Sequence, residues 1–224
     1  MSDDTKLEGV FDYQPDEELS PIWITPTLVT VLGEIPAPDD EDVVALRLLK
    51  DLTFGTGGHP STRLAIWKLL NGAHPPDHTD DAVPGPFLEL GESSGLLALV
   101  AAASGTAETY HATESVRAAF LGENNGLING HTIKAEAPLQ ALHHEDRFHF
   151  YSTIATQVGG EPGTLSYIAL AYYALKPGGC LIWAGHEAKD HQSIKASLSE
   201  FFEPVEIDDL IGWPVIVARK IQTP

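Results

Sequence analysis

The residues with the most chemical content run from Glu89 to Gly95, Glu-Leu-Gly-Glu-Ser-Ser-Gly, and pass at once into the apolar run Leu96 to Ala103. Physically this reads as a short buried strand, a glycine-punctuated turn and a helix. In open α/β sheets such a turn faces a ligand crevice, because glycine lets backbone approach the ligand and a helix N-terminus presents free N–H groups. Two chemistries use this spacing. With Glu89 leading, the stretch is an acidic-x-Gly-x-Gly-x-Gly nucleotide loop in which Ser93 stands where the middle glycine would be. Gly91-Glu92-Ser93-Ser94-Gly95 also matches Gly-x-Ser-x-Gly, the nucleophile elbow, with Ser93 as nucleophile. His186 or His191 would then serve as base, and Asp146 or Glu161 as acid.

The elements that must hold this turn follow from apolar spacing. Three glycines and a proline between Leu52 and Arg63 impose a loop, and Leu64 to Leu70 continues with helical spacing, Ser61 and Thr62 sitting at its start. Thr109 to Glu114 reads as a second strand, Val116 to Asn129 as a helix closed by Gly130, and Phe148 to Ile154 as a further strand. A helix over Leu165 to Leu175, a tight turn at Lys176 to Gly179, a strand at Cys180 to Ala184, a helix over His191 to Phe202 and a strand at Trp213 to Arg219 complete the pattern. Strands alternating with helices predict a mostly parallel sheet covered on both faces. Residues 1–50 are acidic and proline-punctuated; within them Ile22 to Ile24 and Thr27 to Leu32 read as short strands or an extended arm, and Val43 to Lys50 as a strand or a short helix. The expected organisation is a proline-rich arm over 1–50 and a single domain over 51–224.

Composition narrows the function classes. A chain of 224 residues with 43% apolar content suits one core. No apolar run approaches bilayer length, and Met1 to Lys6 carries neither the basic nor the apolar part of a signal peptide, so a cytoplasmic protein without membrane contact is expected. One cysteine, Cys180, excludes a disulfide framework. A net charge of −19 argues against direct nucleic-acid binding and suits a basic partner or solvation. His143-His144 beside Glu145-Asp146, and His186 with His191, have no metal-ligand spacing and read as solvated loop histidines.

Taken together, Phe54-Gly55-Thr56-Gly57-Gly58-His59-Pro60-Ser61-Thr62-Arg63, the Glu89 to Gly95 turn, Asn125, Asn129-Gly130 and Leu175 to Gly179 resemble one family. It is the class I S-adenosylmethionine-dependent methyltransferases, and within it the enzymes that methylate large-subunit ribosomal protein eleven. The resemblance spans about Leu52 to Lys220 and implies a Rossmann-like α/β fold with a seven-stranded, mostly parallel sheet. It implies S-adenosylmethionine as cofactor and methyl transfer to a protein or small-molecule nucleophile, N-methylation being favoured. Carried over by position, it assigns cofactor contacts to Thr62, Glu89, Gly91, Ser93 and Gly95. The ribose position holds Thr113, with Glu114 next, and the position of the motif asparagine falls among Ser152, Thr153 and Ile154. No catalytic side chain and no metal ligand is implied. Two alternatives stay open: a methyltransferase fold that binds or regulates without turnover, and a hydrolase using Ser93.

Overall fold

The computed structural model describes residues 20–50, 55–71, 83–137, 149–157 and 164–221. In the N-terminal stretch, β1 (Ile22–Thr25) and β2 (Leu28–Leu32) form an antiparallel pair turning at Pro26-Thr27, and β3 (Val44–Leu48) runs parallel to β2. Val43 to Lys50 is thus a strand rather than a helix. α1 (Pro60–Asn71) starts with proline in its first turn, where the missing N–H is not needed. Next come β4 (Phe87–Leu90), the almost wholly buried α2 (Leu96–Ala103) and β5 (Thr109–Ala112). α3 (Val116–Ile128) is capped by Ser115, whose Oγ accepts from the Ala118 N–H at 3.2 Å. Beyond it Gly130 takes a φ of +77°, the left-handed conformation that a helix end favours.

β6 (Ile133–Glu136), β7 (Tyr151–Gln157), α4 (Thr164–Ala174), β8 (Leu175–Ala184), α5 (His191–Ser199), β9 (Phe202–Leu210) and β10 (Trp213–Lys220) complete the described elements. β6 and β9 have no counterpart among the strands read from sequence, because both are short of the uninterrupted apolar alternation that marks a strand. The turn expected at Lys176 to Gly179 lies inside β8. There the step from Tyr151 to Thr153 on β7 is matched by the step from Leu175 to Cys180, an irregularity that Gly178 accommodates with a φ of +75°. The last helix ends at Ser199, so that Phe202 opens β9 instead of closing the helix.

The large sheet has the order β6-β5-β4-β7-β8-β10-β9, parallel except for β10, which runs antiparallel to both neighbours. Strand alternation sends Cys180, Ile182 and Ala184 to one face, with α1 and α2, and Leu181 and Trp183 to the other, with α4 and α5. Helices therefore cover both faces, as the alternating pattern predicts. Ile24, Leu28, Leu46 and Leu48 of the smaller sheet are buried in the α1/α2 cluster, so the N-terminal strands share that core.

The outer edge of β3 is closed by side chains. Asn125 Oδ1 accepts from the Leu49 N–H at 2.8 Å and Asn129 Oδ1 from the Arg47 N–H at 2.8 Å, while Asn129 Nδ2 donates to the Arg47 carbonyl at 2.6 Å. α3 thus supplies the ladder partners that an edge strand lacks.

Candidate functional site

Strand order reverses between β4 and β7, and the carboxyl ends of parallel strands at such a switch point are where open α/β sheets bind ligands. The Gly91 to Gly95 turn sits there. Gly91, with a φ of +136°, donates its N–H to the Ala112 carbonyl at 3.0 Å, and Gly95, with a φ of +78°, caps α2 without any side-chain hydrogen bond. A side chain at Gly95 has no room, since its Cβ would lie 2.6 Å from the Gly122 Cα.

Two of the expected contact residues face inward. Glu89 is buried on β4; its Oε2 accepts from the Ala98 N–H at 2.8 Å and its Oε1 from the Ser93 hydroxyl. Ser93 is buried too, and its Oγ also accepts from the Gly95 N–H at 3.4 Å. Its side chain therefore braces the turn from within. This arrangement does not make a nucleophile: the hydroxyl proton is committed to a carboxylate, and the serine has no exposed face. His186 and His191 are engaged with each other instead, their rings stacked at 11° with His186 Nε2 and His191 Nδ1 3.3 Å apart. Asp146 and Glu161 lie outside the described residues, as do Phe54 and the His143 to Asp146 group. His186 is fully buried rather than solvated, and burial, followed by the neighbouring His191, pushes its imidazole down to about 4.

The loop before α1 roofs the turn. Ser94 Oγ donates to the Gly55 carbonyl at 2.6 Å, and Asn125 Nδ2 donates to the Ser94 carbonyl at 3.0 Å. In the same loop His59 Nδ1 meets Ser61 Oγ at 2.7 Å and its ring stands edge-on to Trp213, with centroids 4.3 Å apart. Burial lowers the His59 pKa. Thr62, fully buried at the start of α1, donates to Gln157 Oε1 at 3.3 Å and so joins the roof to the end of β7.

β5 ends in Ala112, followed by Thr113, whose buried Oγ1 accepts from the Ser115 N–H at 3.2 Å. Glu114 is exposed, and its N–H donates to Glu92 Oε1 at 3.2 Å. These two carboxylates charge the rim: the Tyr167 phenol on α4 has its pKa raised first by burial and then by Glu92 and Glu114.

Thr153 does not join this group. It pairs with Phe87 at the amino end of β4, whereas Leu90, next to the turn, pairs with Thr156. The residues at the carboxyl end of β7 are Thr156 and Gln157, and among the described residues Thr156 Oγ1 and Gln157 Nε2 are buried without a hydrogen-bond partner. Such groups cost free energy unless a ligand or water meets them. A strand read from sequence as ending at Ile154 places its carboxyl end three residues short of Gln157, where β7 ends. His111, fully buried under the turn, also carried no sequence signal beyond its place in a strand.

Residues 12–221 match the family model described as ribosomal protein L11 methyltransferase (PrmA). The chain is 30% identical over 213 residues to the ribosomal protein L11 methyltransferase of Chromobacterium violaceum, covering 93% of this chain and 63% of that protein. It is 28% identical over 209 residues to that of Pseudomonas fluorescens, covering 93% and 65%. It therefore spans less than two thirds of the length of these curated relatives. Among solved structures, ribosomal protein L11 methylase from Lactobacillus delbrueckii subsp. bulgaricus superposes with a TM-score of 0.76 at 20% identity, over 90% of this chain and 99% of that one. The N-methyltransferase NodS from Bradyrhizobium japonicum, in complex with S-adenosylhomocysteine, gives a TM-score of 0.54 at 17% identity, over 73% and 89%.

Proposed function

Since this chain belongs to the ribosomal protein L11 methyltransferase (PrmA) family, we propose that it binds S-adenosylmethionine at the turn between β4 and α2 and directs its methyl group to a nitrogen of a protein. The observation that carries this reading is the glycine turn at the sheet's switch point, flanked by Thr156 Oγ1 and Gln157 Nε2, which are buried without hydrogen-bond partners among the described residues.

The residues present fit the cofactor. Gly91 and Gly95 allow close backbone approach, α2 begins at the turn with Glu89 holding only its Ala98 N–H, and Thr113 offers a hydroxyl at the ribose position. Thr156 Oγ1 and Gln157 Nε2 would gain partners on its inner side. Glu89 and Ser93 contribute by holding the turn rather than by touching the ligand. S-adenosylmethionine supplies an electrophilic methyl group, and in-line displacement asks the protein mainly for alignment and exclusion of water. Thr62 and the Gly55 to His59 loop cover the turn, and the His59 ring of that loop stands edge-on to Trp213 at the start of β10. Glu92 and Glu114 on the rim, in a chain of net charge −19, favour a cationic acceptor such as a basic protein.

In this reading residues 51–224 are the methyltransferase-like domain, with the N-terminal fifty residues as an arm that lends Ile24 and Leu46 to its core. Among the described residues no helix is long and apolar enough to cross a membrane, which suits a cytoplasmic enzyme. Calorimetric titration with S-adenosylhomocysteine tests the proposal: wild type should bind and Gly91→Trp should not. Absence of wild-type binding at millimolar ligand overturns it, and binding without methylation of any basic protein offered would favour a regulatory protein instead.

A further inference from the structure

We propose that His111 is a positioning residue for the turn that receives the cofactor, acting through Gly91 and Ser93; the inference rests on the binding reading above. β5 places His111 directly beside Glu89 of β4, so that both side chains lie under the turn on the same face of the sheet. His111 Nε2 is 3.2 Å from the Gly91 carbonyl and 3.4 Å from Ser93 Oγ. The carbonyl can only accept, and the serine proton already goes to Glu89. Nε2 must therefore carry the imidazole proton, shared between the two oxygens.

In the neutral ring Nδ1 then carries no proton, and among the described residues it has no hydrogen-bond partner. Its slot is made by two glycines: a Cβ on Gly122 would lie 2.5 Å from Nδ1, and one on Gly95 would lie 3.4 Å from it. Gly122, in the interior of α3, thus has a reason to be glycine.

The consequence concerns backbone orientation. A trans peptide holds its C=O and N–H on opposite sides. Tying the Gly91 carbonyl inward to His111 turns the Glu92 N–H outward, toward the crevice. Ser93 in place of a loop glycine is accommodated in the same way, since Glu89 and His111 between them take up its hydroxyl. The serine and the buried histidine work as a matched pair.

The test uses His111→Leu, which removes the donor, and His111→Gln, whose Nε2 can restore it. For S-adenosylhomocysteine, His111→Leu should weaken affinity about tenfold, the scale of one ordered hydrogen bond, and His111→Gln should recover most of that loss at similar melting temperature. In the ligand-free wild type, imidazole nitrogen NMR should show the Nε2–H tautomer. Amide exchange at Gly95 and Ala98 should speed up in His111→Leu and not in His111→Gln. An Nδ1–H tautomer, or Leu and Gln variants that behave alike in exchange and affinity, would overturn the proposal. If wild type binds no S-adenosylhomocysteine, the functional reading falls, and tautomer and exchange still decide the role of His111.

Discussion

Replacing Asn125 with alanine should uncouple the ligand turn from the N-terminal strands. Its side chain is fully buried and holds two backbone groups at once, accepting from the Leu49 N–H at 2.8 Å and donating to the Ser94 carbonyl at 3.0 Å. Truncation leaves both without partners. Each stranded backbone group costs about 1–2 kcal/mol, and because Leu49 is only half-buried and water can reach it, a total of about 2–3 kcal/mol is expected. For a chain of this length that corresponds to a fall in Tm of about 4–12 °C. Urea denaturation followed by circular dichroism should show a lower midpoint at unchanged m. Asn129→Ala is the control. It releases the Arg47 N–H and carbonyl, a half-buried pair of contacts, but touches no residue of the turn. Both variants should lose stability, and only Asn125→Ala should also lose affinity for S-adenosylhomocysteine. A loss below about 0.5 kcal/mol in Asn125→Ala, within the range of ordinary surface changes, would refute the reasoning. So would equal weakening of ligand binding by the two variants.

Two further outcomes are expected. The His186 imidazole is pushed down to about 4 by burial and then by His191, against the opposing pull of Asp190 and Asp209. Its unfolded form binds a proton more readily, so its stabilising effect is complete above about pH 6.5 and is lost as pH falls toward 4, by up to about 3 kcal/mol. Thermal melts of wild type and His186→Gln across that range should therefore differ most in slope between pH 6.5 and 4; parallel curves would contradict the burial argument. Separately, Ser93→Ala should hydrolyse small activated esters no more slowly than wild type, because the wild-type hydroxyl is buried and bonded to Glu89. A turnover that Ser93→Ala abolishes would restore the hydrolase reading.

Much of the site was written in local residue order. Gly91, Gly95 and the apolar run after them specify a strand, a tight turn and a helix, since positive φ and helical spacing are properties of the chain itself. The alternating strands and helices determined a parallel sheet covered on both faces, and the Gly55 to Arg63 loop together with the turn pointed to one cofactor class. Strand limits were less legible. A buried central strand has no polar alternation to mark its end, so the carboxyl end of β7 was placed short of Thr156 and Gln157.

What only the tertiary structure decided is which way each polar side chain turns. Glu89 and Ser93 read as ligand contacts in the sequence, but neighbouring strands put His111 beneath them and draw both inward. Asn125 and Asn129 read as motif residues of a helix, and the edge strand that needs their amides lies some eighty positions earlier in the chain. Hydrogen-bond partners so distant in sequence leave no periodic trace, because the constraint that selects them is satisfaction of buried groups in the packed molecule.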